Sequence, residues 1–334
     1  MKILVTGHNG YIGSQLVPLL KEEGIDVTGV DLNLFGGCNW EPLERPDHEL
    51  IKDFRDLTID EMKGHDCIIH LAAISNDPMG DLNPELTYSV NLHGSVNLAK
   101  KAVEAKVPRF LFSGSCSVYG RGEKLDLDED SKMNPVSAYA VSKVQSEIEI
   151  SKLASDDFTP VFLRNSTAYG TSPMLRIDLV VNNLLSCGFA RGDIRIMSDG
   201  TPWRPLIHCK DIARAFIAFA KAPKEKIHNK AINIGSNHEN YQVKEVADRV
   251  KHLIPASSIV YTGEVGEDPR NYRVNFDLLK SILPDFSLAY DLDNGMSELF
   301  EKFQEHDFSR ADFEGDKFIR MRSIRKNLDL IGIR

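Results

Sequence analysis

The sequence has 334 residues, of which 42% are hydrophobic and 27% are charged, which excludes a disordered chain and allows a large buried core. Its 49 acidic side chains outnumber 40 basic ones, and this formal charge of −9 argues against a nucleic-acid partner. The five scattered cysteines argue against ribbon-type zinc sites and indicate reduced thiols, so we expect no metal site.

The amino terminus, MKILVTG, contains an apolar run of only three residues, which is much shorter than the apolar segment of a signal peptide. Further along the chain, no segment approaches the roughly 18 apolar residues that cross a membrane. We therefore expect a soluble, cytoplasmic protein without a membrane partner.

Short apolar runs alternate with helical patterns through residue 165. Strands are predicted at residues 2–7, 26–31, 49–53, 67–73, 109–115 and 160–165, and helices at 12–23, 84–105 and 137–154. Strands that are continuously apolar and separated by helices are typical of a parallel sheet covered on both faces. The predicted fold class is therefore α/β, with a doubly wound parallel sheet of Rossmann type.

The pattern is less regular after residue 166. A helix at 210–223 and a strand at 231–236 resemble the first half, so we expect them to return to the sheet. The predicted division is a Rossmann domain of residues 1–165 plus about 206–237, and a smaller discontinuous α/β domain of about 166–205 and 238–334. The basic tail from Lys317 to Arg334 is predicted to be a solvated terminal face.

The stretch TGHNGYIG places Gly7, Gly10 and Gly13 between the first strand and the first helix. Glycines there permit a tight turn and let a pyrophosphate approach the helix amino end. Asp31 closes the second strand, 21 residues after Gly10. A carboxylate at that position can bind ribose hydroxyls and would repel a 2′-phosphate, so the pattern predicts NAD rather than NADP.

The stretch SAYAVSK places Tyr139 four residues ahead of Lys143, one helical turn apart. About one such spacing is expected by chance in a chain of this length, and the alternative is an exposed pair with a buried aromatic ring. The glycine loop and SGSCSVYG on the preceding strand favour a functional interpretation of the pair.

Together, the TGxxGxxG spacing, the Tyr139 and Lys143 pair, and SGSCSVYG resemble the extended short-chain dehydrogenase/reductase family. Within it, the sequence is most similar to the NAD-dependent nucleotide-sugar epimerases and dehydratases, and resembles the UDP-glucose 4-epimerase-like enzymes among them. HLAA (70–73), NLHGSVNL (91–98), LRNSTAYG (163–170) and RPLIHCKDIARA (204–215) extend the resemblance over nearly the whole chain.

The resemblance implies a catalytic triad of Ser115, Tyr139 and Lys143. Tyr139 would remove a proton from a sugar hydroxyl while hydride leaves the same carbon for NAD. Lys143 would hold the nicotinamide ribose and lower the pKa of the tyrosine, which is ordinarily near 10. Ser115 would bind the reacting oxygen. An acid–base group positioned in this way is typically worth about 10²–10⁴-fold in rate.

The family pattern also implies two sets of binding residues. The NAD set is Gly7, Asn9, Gly10, Tyr11, Ile12, Gly13, Asp31, Asp53, Phe54, Leu71, Ala72, Ala73, Asn91, Tyr139 and Lys143. The set for the nucleotide-sugar substrate is Ser115, Thr167, Asn183, Leu184, Arg204, Asp268 and Arg270. The competing interpretations are a loop carboxylate for Asp53, a satisfied helix amide for Asn91, and surface ion pairing for Asp268 and Arg270.

Departures from the family pattern limit which reactions are expected of this chain. The 4,6-dehydratases carry Asp-Glu where this chain has Cys116 and Ser117, so the usual groups for water elimination are missing. Cys116 is interpreted as a packing residue, and His70 as a core histidine. Thr167 and Ser75 differ from the asparagine and lysine of many 4-epimerases, which leaves the sugar and the nucleotide open.

The leading hypothesis is an NAD-dependent epimerase that oxidises and re-reduces a sugar carbon, with C4 as the expected position. The alternatives are a nucleotide-sugar 4-dehydrogenase, an atypical dehydratase, and a non-catalytic NAD-binding sensor or scaffold. The resemblance further implies a homodimer that pairs the helices at 84–105 and 137–154.

Overall fold

The computed structural model describes residues 1–75, 83–120, 126–263, 270–327 and 331–332. Seven strands form one parallel sheet, in the order β10-β6-β5-β4-β1-β2-β3. They are β1 (Lys2–Thr6), β2 (Asp26–Asp31), β3 (His48–Ile51), β4 (Cys67–His70), β5 (Arg109–Ser115), β6 (Thr159–Asn165) and β10 (Lys230–Ile234). This arrangement confirms the predicted doubly wound α/β class.

The helices lie at Gly13–Glu22, Ile59–Met62, Pro84–Thr87, Ser95–Glu104, Ala138–Ser151, Val180–Arg191, Cys209–Lys221, Lys224–Ile227, Val243–Leu253, Asp277–Ile282, Leu292–Glu305, Arg310–Glu314 and Arg320–Lys326. Short 3₁₀ turns occur at Phe54–Asp56 and Cys116–Tyr119. Among the residues in the described ranges, no helix combines the length and apolarity that crossing a bilayer requires.

Each face of the sheet is covered by apolar helices. On one face, Leu16 and Phe216 from helices Gly13–Glu22 and Cys209–Lys221 pack in a cluster with Val5. On the other face, helices Ser95–Glu104 and Ala138–Ser151 contribute to a second cluster of buried residues. Because side chains alternate between the faces of a strand, Ile3 and Val5 of β1 join the first cluster and Leu4 joins the second. The middle of this strand is therefore apolar on both faces.

The predicted long helix at 84–105 is interrupted. Between Pro84–Thr87 and Ser95–Glu104, the residues Tyr88–Gly94 form a widened π-type stretch. The Asn91 carbonyl within it accepts a hydrogen bond from Ser146 Oγ at 2.8 Å. A hydroxyl that enters the backbone ladder from a neighbouring helix favours such a local widening.

The second half of the chain forms two smaller sheets and a separate core. A three-stranded sheet has the order β11-β9-β7, from Asn240–Gln242, Trp203–His208 and Thr167–Tyr169. A two-stranded sheet pairs β12 (Ser258–Tyr261) with β8 (Asp193–Ile196).

The strand order reverses between β1 and β4, because β2 and β3 lie on one side of β1 while β4, β5, β6 and β10 lie on the other. In an open parallel sheet, the crevice at such a reversal, outside the carboxyl ends of the strands, is where ligands bind. Predicted site residues follow these ends: Gly7 after β1, Leu71 after β4, and Ser115 at the end of β5. The topology therefore directs them to one crevice.

Candidate active site

A cleft of about 600 Å³ opens at this reversal point. It is bordered by the carboxyl ends of β1, β2, β4, β5 and β6 on one side and by residues of the second half of the chain on the other. Most of the predicted binding and catalytic residues line it, and Asn9 and Asn91 do not. Asp268 lies outside the described residues.

The turn after β1 is built so tightly that two of its glycines have no room for a side chain. Gly7 has a φ of +78°, and a Cβ there would lie 2.7 Å from the Ala72 amide nitrogen. A Cβ on Gly13 would lie 2.2 Å from the Gly7 carbonyl oxygen. Gly10 differs, because a Cβ there would meet only the Gly7 oxygen, at 3.1 Å, and Gly10 lines the cleft. The missing side chain of Gly10 therefore leaves space for a ligand.

The adjacent helix, Gly13–Glu22, begins at this turn and has no side-chain cap at its amino end. Its amino end, with Tyr11, Ile12 and Gly13, lines the cleft. Backbone N–H groups and the helix dipole favour an anion at such a position.

Asp31 lines the cleft beyond the glycine turn. Its carboxylate accepts hydrogen bonds from the backbone N–H groups of Asn9 (3.1 Å) and Asn33 (2.8 Å), which fix its orientation. Burial raises the pKa of Asp31, while the two N–H donors oppose that shift. Asn9 thus orients the acid, although its own side chain bonds to Asn33 at 2.6 Å.

Asp53 and Phe54 border the same end of the cleft. The Asp53 carboxylate forms an ion pair with Arg55, with 2.7 Å between Oδ2 and Nη2. Leu71, Ala72 and Ala73 leave the sheet after His70 and line the cleft as a loop, which is why β4 ends earlier than predicted.

Asn91 is fully buried behind the cleft. Its amide accepts from the Ile74 backbone N–H at 2.8 Å and donates to the Ile74 carbonyl at 2.9 Å and to Ser142 Oγ at 3.2 Å. Asn91 thus holds the loop that follows β4, as a satisfied helix amide would, and its contact with NAD remains a prediction.

Tyr139 and Lys143 both line the cleft, from the first two turns of helix Ala138–Ser151. Ser137 caps this helix by accepting from the Ala140 N–H at 3.2 Å. The Lys143 ammonium nitrogen lies 5.7 Å from the centre of the Tyr139 ring and donates to the Ser113 carbonyl at 2.8 Å. Burial lowers the pKa of Lys143 to about 7.

Ser115 ends β5 and lines the cleft near this pair. Its Oγ accepts from the Ser117 N–H at 3.1 Å, which leaves the hydroxyl hydrogen able to donate. β5 pairs with β6 so that Ser115 lies opposite Asn165, another cleft residue. The structure thus brings the three predicted catalytic residues to one cleft.

Two residues near the triad, Cys116 and His70, are buried and pack in the core. Cys116 is 1% exposed, does not line the cleft, and donates to the Arg164 carbonyl at 3.1 Å, so it packs as expected. Burial raises the pKa of its thiol to about 12. His70 is buried between Thr6 Oγ1 (2.6 Å) and Ser95 Oγ (2.8 Å), which confirms its interpretation as a core histidine.

The residues predicted for the substrate line the far end of the cleft: Thr167, Asn183, Leu184, Arg204 and Arg270. Arg204 is buried, and its guanidinium donates to the Trp203 carbonyl at 2.8 Å and to the Arg270 carbonyl. The Asn183 amide donates to the Ile177 carbonyl at 3.0 Å.

Two buried arginines in the cleft were not predicted from the sequence. Arg176 forms a two-point ion pair with Asp178, at 3.0 and 3.1 Å, and donates to Ser75 Oγ at 3.0 Å. Arg320 comes from the basic tail that was expected to be solvated, yet it is 2% exposed and lines the cleft. The apolar spacing of Phe318, Met321 and Ile324 was the available signal, because it indicates a helix with one buried face.

These features fit a dinucleotide. The open face at Gly10 admits a phosphate group beside the helix amino end, and Asp31 provides an oriented carboxylate for ribose hydroxyls. Phe54 and Leu71 supply apolar surface along the cleft. When bound, NAD would supply the hydride acceptor that the triad of Ser115, Tyr139 and Lys143 lacks.

Comparison with known proteins agrees with this geometry. The model of the NAD dependent epimerase/dehydratase family matches residues 3–235. The UDP-glucose 4-epimerase of Neisseria gonorrhoeae is 29% identical over 281 residues, a match covering 74% of this chain and 80% of the relative.

Two solved structures share the fold over nearly their whole length. The UDP-glucose 4-epimerase of Thermotoga maritima with UDP-glucose is 25% identical, with a TM-score of 0.81 and coverage of 91% of this chain and 99% of that chain. MoeE5 in complex with UDP-glucuronic acid and NAD is 27% identical, with a TM-score of 0.80 and the same coverage.

Proposed function

This chain belongs to the NAD dependent epimerase/dehydratase family, and from that premise we propose that it is a nucleotide-sugar epimerase that inverts a sugar carbon, C4 in the leading hypothesis. The observation that carries the proposal is the position of Ser115, Tyr139 and Lys143 in one cleft with the glycine turn and Asp31. The enzyme would oxidise the carbon to a ketone and re-reduce it from the opposite face.

In this mechanism, Tyr139 acts as the base in its phenolate form and then as the acid in its phenol form. Its oxygen takes the proton of the sugar hydroxyl during oxidation and returns it when the ketone is reduced. Ser115 donates a hydrogen bond to the same sugar oxygen and so limits its position. When bound, NAD would be held by the glycine turn and Asp31 and would supply the hydride acceptor and donor.

Lys143 supports Tyr139 electrostatically. Its ammonium is held beside the phenol by the bond to the Ser113 carbonyl, and a cation there favours the phenolate form. Because burial lowers the pKa of Lys143 to about 7 in the ligand-free protein, its charge depends on further oxygen acceptors. The nicotinamide ribose hydroxyls would supply them, in keeping with the role that the resemblance implies.

The carboxylates of the cleft favour epimerisation over dehydration. Among the described residues that line it, the carboxylates are Asp31, Asp53 and Asp178. Asp31 is bonded to backbone amides, and the other two form ion pairs with Arg55 and Arg176. Cys116 and Ser117 stand where a dehydratase has its acids, so water elimination lacks its usual groups.

The nucleotide diphosphate of the substrate is proposed to bind at the far end of the cleft. Arg204 and Asn183 carry guanidinium and amide donors suited to phosphate oxygens. Arg270 is proposed to contact the nucleotide ribose, and the same role for Asp268 remains a prediction. Under this proposal, residues 1–165 and about 206–237 hold NAD, while about 166–205 and 238–334 hold the nucleotide sugar.

We further propose a cytoplasmic homodimer that acts in carbohydrate biosynthesis. The five cysteines are all free and buried, which suits a reducing compartment. Helices Ser95–Glu104 and Ala138–Ser151 carry exposed Val103 and Ile148, respectively, and these apolar side chains support a helix-pairing interface.

The test is incubation of the purified protein with UDP-, GDP-, CDP- and dTDP-sugars, with products separated by chromatography and mass spectrometry. We expect an epimer of unchanged mass and no net NADH. Stoichiometric NADH with a keto sugar would establish the dehydrogenase instead, and a product lighter by one water would establish a dehydratase. Tyr139→Phe should abolish turnover while NAD binding is retained, and an undiminished rate would refute the mechanism.

A further inference from the structure

The segment Phe318–Asn327, here called the carboxyl-terminal strap, packs against the side of the cleft that carries Asp31 and the glycine turn. The Phe318 carbonyl accepts from the Ile177 N–H at 3.1 Å, and the Asn327 amide donates to the Leu34 carbonyl at 2.9 Å. Ile319, Arg320, Met321 and Ile324 of the strap line the cleft. The family match ends at residue 235, so the strap is a feature outside the matched region.

Arg320 is the charged residue that the strap buries in the cleft. Its Nη2 donates to the Met174 carbonyl at 2.7 Å, and its guanidinium carbon lies 4.6 Å from the centre of the Phe35 ring. Its Nη1 is buried and has no hydrogen-bond partner. A buried N–H donor without an acceptor costs about 1–3 kcal/mol, and more when the group is charged, so this atom indicates a partner that binds there.

The charges around Arg320 identify that partner as an anion. Arg176, a cation that also lines the cleft, is already neutralised by Asp178 through two hydrogen bonds. Within the described ranges, Arg320 has no carboxylate at ion-pair distance. Burial and the Arg176 cation lower the pKa of Arg320 to about 10. The pair of arginines and Asp178 therefore leaves one excess positive charge in a site with little solvent.

We propose that Arg320 is a cofactor-binding residue whose Nη1 donates to a phosphate oxygen of the NAD pyrophosphate, and that the strap closes over the cofactor. The proposal rests on the proposed function only in requiring NAD in the cleft. The guanidinium of Arg320 lies over the ring of Phe35, in the chain after Asp31. Met174, whose carbonyl accepts from Arg320, donates its N–H to Ser172 Oγ, which in turn donates to the Tyr11 carbonyl of the glycine turn. Phe35 and Tyr11 belong to the expected NAD end of the cleft, which favours this pyrophosphate over the diphosphate of the substrate.

The strap also has a consequence for cofactor exchange. Ser323 Oγ lies 3.4 Å from Cys38 Sγ, and the Asn327 amide donates to the Leu34 carbonyl. Both contacts join the strap to the chain that follows Asp31, so NAD would leave only after the strap has moved. Slow exchange suits a reaction that returns its hydride to the same sugar.

The proposal is tested by measuring ligand affinity in NAD-stripped full-length protein. Arg320→Met is compared with wild type and with Arg325→Met, which removes an exposed arginine from the same helix. Isothermal titration calorimetry is performed with NAD, ADP, adenosine and UDP. We expect Arg320→Met to lower the affinity for NAD and for ADP by at least about 10-fold, since hydrogen bonds to charged groups are worth about 1.5–3 kcal/mol. Adenosine and UDP should bind with unchanged affinity, and Arg325→Met should bind all four as wild type does.

Unchanged affinity for NAD and ADP in Arg320→Met would overturn the proposal. A loss confined to UDP would also overturn it, because Arg320 would then serve the substrate. If wild type binds NAD but catalyses no epimerisation, the proposed function fails while the strap proposal stands. Arg320→Lys and circular dichroism melting of the ligand-free variants control for folding. A loss of NAD affinity that follows a lower melting temperature in Arg320→Met, and is not partly rescued in Arg320→Lys, would count against a phosphate contact.

Discussion

The Lys143 side chain is buried at the floor of the cleft, where its amine contacts the Ser113 carbonyl and lies 4.7 Å from the centre of the Phe112 ring. A lysine whose pKa is about 7 when folded and about 10.4 when unfolded destabilises the ligand-free fold. This cost is full below pH 7, where both states are protonated, and it is relieved as the pH rises toward 10.

Lys143→Met should therefore stabilise the NAD-free protein most at low pH. We expect a gain in the free energy of unfolding of up to about 5 kcal/mol at pH 6, because the folded and unfolded pKa values differ by about 3.4 and each pKa unit corresponds to about 1.4 kcal/mol. The gain should shrink progressively between pH 7 and pH 10. Urea unfolding at a series of pH values measures it, with the exposed Lys100→Met as control. A gain that does not change with pH would show that Lys143 is not a buried cation.

The residues that could be predicted are those whose chemistry is encoded locally. Gly7 and Gly10 share one turn, Tyr139 and Lys143 share one helix, and parallel strands bring their carboxyl ends together. Arg176 and Arg320 could not be placed in the same way, because their positions depend on how the irregular second half packs on the sheet. The composition of the basic tail is typical of a solvated segment. Only the apolar spacing around Arg320 indicates that part of the tail is buried.

In the turn between β1 and helix Gly13–Glu22, the glycines lack a side chain for different reasons. Gly13 packs against the backbone of the turn itself, whereas Gly10 faces the cleft. A methyl group at Gly13 must displace the Gly7 carbonyl, and a methyl group at Gly10 meets mainly the space reserved for a ligand. If the cleft binds NAD as proposed, substitutions at the two positions should separate folding from cofactor binding.

Gly13→Ala should destabilise the protein by at least about 2 kcal/mol, since overpacking against backbone forces the turn to shift. Gly10→Ala should unfold close to the wild-type temperature and yet bind NAD at least about 10-fold more weakly, a difference of about 1.4 kcal/mol. Thermal melting and calorimetric titration with NAD provide the two readouts. Wild-type NAD affinity in Gly10→Ala would contradict the assignment of this turn to the pyrophosphate.

The elements whose type follows from periodicity were predicted correctly, and their ends were less accurate. β5 matches its prediction of residues 109–115, because the apolar run Phe110–Phe112 marks it as a buried strand. The helix predicted at 84–105 contains the π-type stretch Tyr88–Gly94, and this irregularity arises from Ser146 on another helix. Sequence periodicity within one segment carries no information about a hydroxyl that arrives from a neighbour.

At the scale of the whole molecule, the chain returns to its first sheet after a long excursion. β10, Lys230–Ile234, pairs with β6, and helix Cys209–Lys221 covers the same face as helix Gly13–Glu22. The sequence predicted this return from the resemblance of the two segments to the first half. The division into two binding domains remains a prediction, and so does the dimer.

The dimer prediction concerns the exposed apolar face on the two helices. Ile148 is 46% exposed on helix Ala138–Ser151, and a charge there would be buried in the proposed interface. Ile148→Glu should convert a dimer to a monomer, as measured by size-exclusion chromatography with light scattering. Val260→Glu, which alters an exposed apolar residue on β12, should leave the assembly unchanged. A wild-type protein that is monomeric at micromolar concentration would disprove this interface.

The central claim is that this cleft oxidises a sugar carbon and returns the same hydride to it. The most direct measurement uses the nucleotide sugar that the panel identifies, labelled with deuterium at C4, and follows the label by mass spectrometry and NMR. We expect a 4-epimer that keeps its deuterium at C4, with no label in water and no net NADH. A product that has lost the label, or no conversion of any nucleotide sugar by NAD-loaded protein, would contradict it.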